Sequence, residues 1–435
     1  MRSRARSLFL DTAPLRLDRD YRWLWSGQVI SGMGNQITRV ALPFQVYVLT
    51  GSTLAIGALT LFQLVPILLF ALGAGSLADA VDRRKLLMAT QFGLAVCSAV
   101  LTMLALSGDP PVIALFAVAF VAAGLGAVDQ PTRSSAIPRL VPPERLPAAI
   151  ALNQLNFQTA SIVGPAVGGV LIATVGIAGA YAVDVVSFLA TLTALFAIRP
   201  LPPLRGAARP GLAAVAEGLR FARHKRAILG SFAIDLNAMI FGMPTSLFPV
   251  LALDVFQTGP AGFGLLAAAP AVGSFLGALL SGWVSSVHRV GRAIVLAVIG
   301  WGLAITAFGL LTFSFPLAWI CLALAGSADV FSAVFRSTLV QLETPDGLHG
   351  RVMSIHGLVV TSGPRIGDME AAAVATLVGP QAAVVSGGIL CLLGVVVVAR
   401  LFPELVRHTI DRAPPPPAPT AAEPVPEEAS LESGP

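Results

Sequence analysis

The chain has 435 residues, of which 55% are hydrophobic and only 12% charged, and its mean hydropathy is +0.81. This composition leaves too little polar material to cover a soluble protein of that length, so it predicts an integral membrane protein. The net charge of +5 belongs to loops that meet anionic membrane lipid, and we expect no nucleic-acid partner.

A basic arm, residues 1–22, precedes the first long apolar run. The arm has no short apolar core followed by a small-residue cleavage site. We therefore expect no cleavable signal and an arm that stays in the cytoplasm.

Twelve apolar runs follow, each long enough to cross a hydrocarbon core of about 30 Å as a helix of ~20 residues. Six lie near residues 24–49, 54–78, 86–106, 112–130, 148–175 and 178–198, and six near 227–252, 262–286, 292–313, 317–340, 352–378 and 380–402. The chain is thus predicted to be an all-α integral membrane protein with an N-terminal half at 23–198, a cytoplasmic linker at 199–226 and a C-terminal half at 227–402. Residues 403–435 are predicted to be a disordered cytoplasmic tail.

The basic residues are confined to alternate loops. Of the 28 Lys and Arg residues, 26 lie in the arm, in the even-numbered loops or after the last span, and the odd-numbered loops contain none. Basic residues mark the cytoplasmic side of a membrane protein. Both termini are therefore predicted to be cytoplasmic, in a multi-pass protein of the cell (inner) membrane. The other two bases, Arg39 and Arg365, lie within predicted spans.

The two predicted halves repeat short motifs in the same order. Arg133-Ser134-Ser135 recurs as Arg336-Ser337-Thr338, 203 residues later, at the end of the fourth span of each half. Gly164-Pro165-Ala166-Val167-Gly168 recurs as Gly363-Pro364-Arg365-Ile366-Gly367, 199 residues later. Similar motifs at similar offsets predict two parallel six-helix repeats.

Two motifs carry a resemblance to a known family. The loop after the second span contains Gly75, Asp79, Arg83 and Arg84, and the fifth span contains Gly164 and Pro165 with Gly168 and Gly169. Together with twelve spans in two halves, these motifs resemble those of the major facilitator superfamily. Asp82, the stretch from Arg133 to Pro142 and the segment from Glu217 to Phe221 resemble its branch of enterobactin exporters and macrolide and multidrug efflux pumps.

That resemblance implies a secondary transporter that works by alternating access and functions as a monomer, with a cavity lined by the first, fourth, seventh and tenth spans. It implies that Asp79 pairs with Arg83 or Arg84 to close the cytoplasmic side, although a plain interfacial ion pair is the alternative. The glycines of the fifth span are expected to pack tightly between the halves while Pro165 bends the helix.

A polar stripe follows the first span at helical spacing. Gln28, Ser31, Asn35 and Thr38 are three, four and three residues apart, and Arg39 lies beside them. Since polar groups avoid lipid, we expect this face to line the cavity, with hydrogen bonding between helices as the alternative.

Charged residues within the spans are the clearest functional candidates, because buried ions are costly in a membrane. The acids are Asp184, Asp235, Asp329, Asp368 and Glu370, against Arg39 and Arg365. Arg365 and Asp368 are three residues apart and are predicted to pair, which leaves Glu370 without a neighbour on its helix. Glu370 is therefore the first candidate for a proton carrier, with Asp235 and Asp329 next.

No enzyme motif, cofactor-binding loop or metal-type cysteine spacing occurs in the chain. The excess of buried acids favours a proton-coupled exporter of small amphiphilic cations, as in drug or antibiotic efflux. Export of a siderophore or another secondary metabolite is the alternative, and a membrane sensor or scaffold that does not transport is a third.

Overall fold

The computed structural model describes residues 11–71, 81–203 and 219–409, and within these ranges all regular secondary structure is helical. The long helices are α1 (Arg19–Thr50), α2 (Thr53–Ala71), α3 (Arg83–Leu106), α4 (Val112–Ala136), α5 (Leu146–Phe196), α6 (Arg226–Gly242), α7 (Gly259–Leu279), α8 (Val290–Leu310), α9 (Phe315–Glu343), α10 (His349–Val378) and α11 (Pro380–Leu401). The prediction of an all-α protein is confirmed.

Nine helices in the described part of the chain are long and apolar enough to cross a membrane. One of these nine includes α5, whose 51 residues bend at Gly176, where φ is 77°. This left-handed conformation suits glycine, and it divides α5 into the predicted fifth and sixth spans. The polar helices α1 and α10, of 32 and 30 residues, match the predicted first and eleventh spans but are not among the nine. A membrane-spanning fold is confirmed, whereas the count of twelve spans stays a prediction.

The predicted seventh span is broken rather than continuous. α6 ends at Gly242, Pro244 follows, and helical structure resumes with a 3-10 turn at Thr245–Leu247 and a π-helix at Leu251–Val255. Proline disrupts a helix by removing an N–H donor. The break therefore leaves backbone groups near the middle of the bundle that other residues must satisfy.

The helices pack in two groups that correspond to the predicted halves. In the first group α1 and α3 pack along α5, and α4 packs on α2 and α3. In the second, α9 packs on α7 and α8, and α6 packs on α10 and α11. The groups meet where α5 contacts α7 and where α2 contacts α10.

Glycines at matching repeat positions occupy matching helix contacts. A Cβ on Gly164 of α5 would lie 2.4 Å from the Cβ of Gln36 on α1. A Cβ on Gly363 of α10 would lie 2.9 Å from the Cβ of Met239 on α6. The sequence repeat therefore extends to the way the helices of each half pack.

The end of the bundle opposite residues 11 and 409 is here called the far end. Hydrogen bonds and ring contacts between the two halves lie between the middle of the bundle and this far end. Tyr47, at the end of α1, donates a short hydrogen bond to Asp254 of the other half. Phe44 stacks on Phe263, with ring centroids 5.8 Å apart. At the opposite end, here called the terminal end, the ion pairs stay within one half: Arg145–Asp18, Arg199–Asp20, Lys225–Glu343 and Arg226–Glu404. Among the described residues, the far end is thus the closed end.

The first and last described segments pack against the helices. The arm enters α1 at Arg19, and the hydroxyl of the buried Tyr21 donates to the carbonyl of Ala149. The prediction of a disordered tail is wrong for residues 403–409, because a short helix at Pro403–Arg407 buries Leu405 completely against α6 and α8. Residues 410–435 lie outside the described part.

Candidate functional site

Three exposed charged side chains in the interior indicate a cavity between the two halves. Arg39 of α1 is exposed although it lies deep within the protein, and Arg365 of α10 is partly exposed. The side chain of Asp329 on α9 is 36% exposed and is likewise surrounded by protein. These three charged side chains therefore line an internal space rather than a lipid-facing surface.

The polar stripe of α1 divides between two environments. Asn35 accepts a hydrogen bond from Nε of Arg39 at 3.2 Å and so lies beside the cavity, whereas Gln28 is partly exposed and its place at the cavity stays a prediction. The Thr38 hydroxyl instead donates a hydrogen bond to Asp184 inside the first half, and Ser31 is only 4% exposed. From Gln28 to Thr38 the stripe drifts by about 80° around the helix, because ten residues fall short of three full turns. The prediction that the whole stripe lines the cavity is wrong for Ser31 and Thr38.

Asp184 forms a polar centre inside the first half. Its carboxylate accepts hydrogen bonds from the hydroxyls of Thr38 at 2.6 Å, Ser98 at 2.8 Å and Ser187 at 3.1 Å. The residue is 1% exposed. Hydroxyl donors satisfy a buried carboxylate without a cation, so Asp184 ties α1 and α3 to the second part of α5 and does not face the cavity.

Arg365 and Asp368 do not form the predicted direct ion pair. The Asp368 carboxylate accepts hydrogen bonds from two residues in the break after α6. The donors are the hydroxyl of Thr245 and the backbone N–H of Ser246, the latter at 2.8 Å. Arg365 donates to the carbonyl of Thr361 at 2.7 Å on its own helix. The physical reason is the helix break. It leaves backbone N–H groups without a partner in the helix, and such a donor for Asp368 cannot be seen from residue spacing along one helix.

Arg336 joins two acids in the second half. Its Nη2 lies 2.9 Å from Oδ1 of Asp235 and 3.8 Å from Oδ1 of Asp329, while Nη1 donates to Ser332. Arg336 and Asp235 are 3% and 2% exposed at their side chains. In the described residues, Oδ2 of Asp235 and Nε of Arg336 have no hydrogen-bond partner. The Arg336 cluster, Asp235, Asp329, Ser332 and Arg336, thus links a buried carboxylate to one at the cavity surface.

His356 lies beside this cluster, which the sequence did not indicate. Its ring stacks on Phe232 of α6, with centroids 5.8 Å apart. It is close enough to Arg336 for the two charges to interact when the imidazole is protonated. The sequence offered one indication of this packed position. His356 lies seven residues inside α10 rather than at its end, opposite the apolar face of α6.

Glu370 lies apart from these groups. It is partly exposed on α10, and no hydrogen bond or ion pair to it is seen within residues 11–71, 81–203 and 219–409. The residue remains an unpaired acid, as its helix spacing predicts, but it is not connected to the cavity acids.

The predicted gate loop is described only in part. Gly75 and Asp79 lie outside the described residues, so the Asp79 pairing stays a prediction. Arg83 is 2% exposed and its Nε donates to Ser135 of α4 at 3.2 Å. Arg84 donates to the carbonyls that end α5. Both arginines therefore brace the first half.

The glycine motif of α5 contacts two different neighbours. Gly164 and Gly168 face α1 within their own half, whereas Gly169 faces α7 of the other half. A Cβ on Gly169 would lie 2.9 Å from the Cα of Gly264, and one on Gly264 would lie 2.4 Å from the carbonyl oxygen of Pro165. The motif thus brings the backbones of the two halves into contact.

Comparisons with known proteins agree with this architecture. Residues 11–434 match the model of a family described as transmembrane secretion effector. The enterobactin exporter EntS of Citrobacter koseri is 28% identical over 96% of this chain and 99% of its own length. EntS of Escherichia coli O1:K1 / APEC is 27% identical over 88% and 91%.

Solved structures show the same fold at low identity. A bacterial homologue of the iron transporter ferroportin, in an inward-facing state, superposes with a TM-score of 0.67 at 18% identity, over 90% of this chain and 100% of that one. The nucleoside transporter NupG gives 0.67 at 14% identity over 90% and 100%.

Proposed function

Because this chain belongs to the transmembrane secretion effector family of the major facilitator superfamily, we propose that it exports a siderophore or another small secondary metabolite in exchange for protons. Alternating access would carry the substrate from the cavity between the halves to the far end. We place both termini in the cytoplasm and the chain in the inner membrane, working as a monomer.

The assignment of a metabolite rather than a cationic drug rests on where the acids lie. An excess of acids in the spans favoured a cationic substrate, but Asp184 and Asp368 are engaged by hydroxyl and backbone donors inside their halves. Asp235 is paired with Arg336. Relatives over nearly the full length are enterobactin exporters, which supports the same choice.

The proton coupling rests on one observation, the position of Arg336 between Asp235 and Asp329. Asp329 reaches the cavity and can exchange a proton with water, whereas Asp235 is buried. A proton on Asp329 removes its attraction for Arg336 and leaves the arginine to Asp235 alone. Since Asp235 and Arg336 are on α6 and α9, the protonation state of Asp329 would change how strongly these helices are held together.

Transport in everted vesicles tests the proposal. Vesicles from cells that express the chain are energised and offered a labelled catecholate siderophore and a labelled lipophilic cation. We expect accumulation of the siderophore that a protonophore abolishes. Accumulation of the cation alone would instead favour drug efflux, and no protonophore-sensitive accumulation of either compound would contradict the proposed function.

Asp329→Asn tests the coupling residue directly. The variant should stay folded, because Arg336 keeps Asp235, and should exchange substrate between compartments of equal pH. It should lose accumulation driven by a pH gradient. Asp109→Asn, in an exposed loop at the far end, is the matched control and should accumulate substrate normally.

The orientation has its own test. With the three native cysteines replaced, Thr258→Cys should react with an impermeant thiol reagent in intact spheroplasts, and Leu204→Cys should not. Labelling of Leu204→Cys from outside would reverse the proposed topology.

A further inference from the structure

A hydrogen bond at the far end joins an ionisable acid of one half to the other half. The hydroxyl of Tyr47, on α1, donates to the carboxylate of Asp254. Two other side chains bond across the interface, Gln158 at 3.2 Å and Thr53 at 3.4 Å, but each donates to a backbone carbonyl. A bond to an ionised acceptor is roughly twice as strong as a neutral bond. Of these three contacts, the one with Asp254 is therefore the one whose strength depends on a proton.

Charged residues are rare at this end of the bundle. The far-end segments between helices, residues 51–52, 107–111, 251–258, 311–314 and 379, contain two charged residues, Asp109 and Asp254, and no base. Asp109 lies in an exposed loop, whereas Asp254 bonds the opposite half. The elements packed on the π-helix that carries Asp254 are α7 and residues 248–250, and neither has a titratable side chain. Tyr47 is thus the titratable group that faces Asp254 in the described part of the chain.

The donor side of this bond is fixed to the first half. Tyr47 is only 8% exposed. Two residues earlier on α1, the buried Gln45 accepts a hydrogen bond at 2.8 Å from the hydroxyl of Tyr181, which belongs to α5 of the same half. The phenol of Tyr47 is therefore held in place before it reaches across the interface.

The acceptor side lies on irregular backbone. Pro244 and the break separate the segment from α6, and Asp254 lies within the π-helix Leu251–Val255. π-Helices are rare and often occur at functional sites. Gln257 follows with a φ of 53°, which is uncommon for a residue other than glycine. Since no continuous helix ties this segment to α6, it can shift at the far end while α6 stays in place.

We propose that Tyr47 and Asp254 form a latch that holds the far end closed, and that a proton taken up by Asp254 from the water outside releases it. Asp254 is exposed, so its carboxylate can receive that proton directly. The proton removes the charge of the acceptor, weakens the bond to Tyr47 and so lowers the stability of the closed end relative to the open end. Acidity outside the cell then favours the state that releases substrate. This latch is separate from the coupling at Asp329, and it rests on the proposed function for the assignment of the far end to the outside.

The labelling rate of a cysteine beneath the latch measures how often the far end opens. Phe263, which stacks on Phe44 across the interface and is 3% exposed, is replaced by cysteine after removal of the three native cysteines. The full-length chain in lipid nanodiscs is treated with an impermeant thiol reagent. The rate is divided by that of Thr258→Cys, which is exposed at the same end. Because the buried thiol reacts after opening, this ratio follows even a small open population.

Asp254→Asn keeps an acceptor oxygen without its charge, and Tyr47→Phe keeps the buried ring without the hydroxyl. Each should raise the labelling ratio by about 10-fold at neutral pH, because the charge-assisted bond is lost. In the parent, a change from neutral pH to about pH 4, the ordinary titration range of a carboxyl group, should also raise the ratio. Both variants should lose most of that response. Size-exclusion chromatography checks that each variant is folded.

Asp109→Asn is the matched control, since it neutralises the other far-end acid, which is exposed. Its ratio at neutral pH and its response to acid should equal those of the parent. A folded Asp254→Asn or Tyr47→Phe variant with the parent's ratio would overturn the latch. An acid response that survives in Asp254→Asn would overturn its release by a proton on that residue. Because the assay involves no flux, it can fail while proton-coupled accumulation in vesicles succeeds, and the reverse.

Discussion

Arg133 and Arg336 occupy matching positions of the two repeats, 203 residues apart, yet their carboxylate partners lie in different places. Arg133 bonds Asp129 of the same helix, one turn earlier, at 2.8 Å. The corresponding residue one turn before Arg336 is Ser332, which accepts a bond at 2.8 Å but carries no charge. Arg336 finds its acid on another helix instead, at Asp235.

The Arg133–Asp129 pair is a local clamp within one helix, whereas the Arg336–Asp235 pair is an adjustable contact between two helices. Both oxygens of Asp129 are used, Oδ1 by Thr90 and Gln91 and Oδ2 by Arg133. Asp235 leaves one oxygen without a partner in the described residues, and its cluster reaches the cavity through Asp329. Each cluster leaves one arginine nitrogen without a hydrogen-bond partner in the described residues, Nη1 of Arg133 and Nε of Arg336, so the difference lies in the carboxylates. A carboxylate with both oxygens bonded stiffens one half, whereas a carboxylate with one oxygen left over, held between helices, can respond to charge. We therefore expect substitutions in the two clusters to differ in kind.

The largest effect is expected for Asp235→Asn. The change leaves Arg336, which is 3% exposed, with only the more distant carboxylate of Asp329 at 3.8 Å as a counterion, and breaking a buried pair costs about 3–5 kcal/mol. Thermal unfolding of the purified protein should show a much lower midpoint and less folded material. Asp235→Leu combined with Arg336→Met should recover much of the loss. A midpoint near that of the parent for Asp235→Asn would contradict the importance of the pair.

The second-largest effect is expected when the arginine–acid arrangement of the first half is introduced into the second half. Ser332→Asp places an acid one turn before Arg336, as Asp129 stands before Arg133. Added to Asp235→Asn, it should restore about 1–3 kcal/mol, because the arginine regains a counterion. Gradient-driven transport should stay low, since the bond between α6 and α9 is not restored. Recovery of transport together with stability would show that a local clamp suffices for coupling.

Asp129→Asn should cost less, about 1–2 kcal/mol, because the Arg133 side chain is 11% exposed, against 3% for Arg336, and lies near the terminal end. Folded yield should remain close to that of the parent, and the ratio of gradient-driven transport to exchange should not change. A selective loss of gradient-driven transport would place coupling in the first half as well.

Glu370→Gln is expected to have the smallest effect. The side chain is partly exposed and has no partner within the described ranges, so the change in stability should be within about 0.5 kcal/mol. Gradient-driven accumulation should continue. If it stops while equal-pH exchange persists, Glu370 carries the proton and Asp329 does not.

The helices could be predicted from the sequence because their signals are local. Runs of apolar residues located α2, α3 and α4, and the paired Gly-Pro motifs predicted that the halves repeat one packing scheme. The break after α6 had a local signal in Pro244, but the long apolar run around it favoured a continuous span. The buried segment after α11 was missed for the opposite reason, since Leu405 and Val406 are only two apolar residues between Glu404 and Arg407.

The partners of the charged residues could not be predicted, because they depend on how each helix is rotated against its neighbours. Asp368 bonds Ser246, 122 residues away, and Asp235 pairs with Arg336 across two helices. Spacing on one helix favoured Arg365 as the partner of Asp368, since that pair was visible in the sequence. Charge content was therefore predictable, and the partner of each charged residue was not.

The contact between α5 and α7 has a consequence for how fast the carrier can turn over. Gly169 and Gly264 meet through their backbones, so this part of the far-end seal has no side chains that must find a rotamer each time it re-forms. Freezing a long side chain costs about 1.5–2 kcal/mol, and a glycine surface avoids that cost. The seam can separate and close again with little loss of conformational entropy, which leaves the charged groups in the cavity to set the order of events.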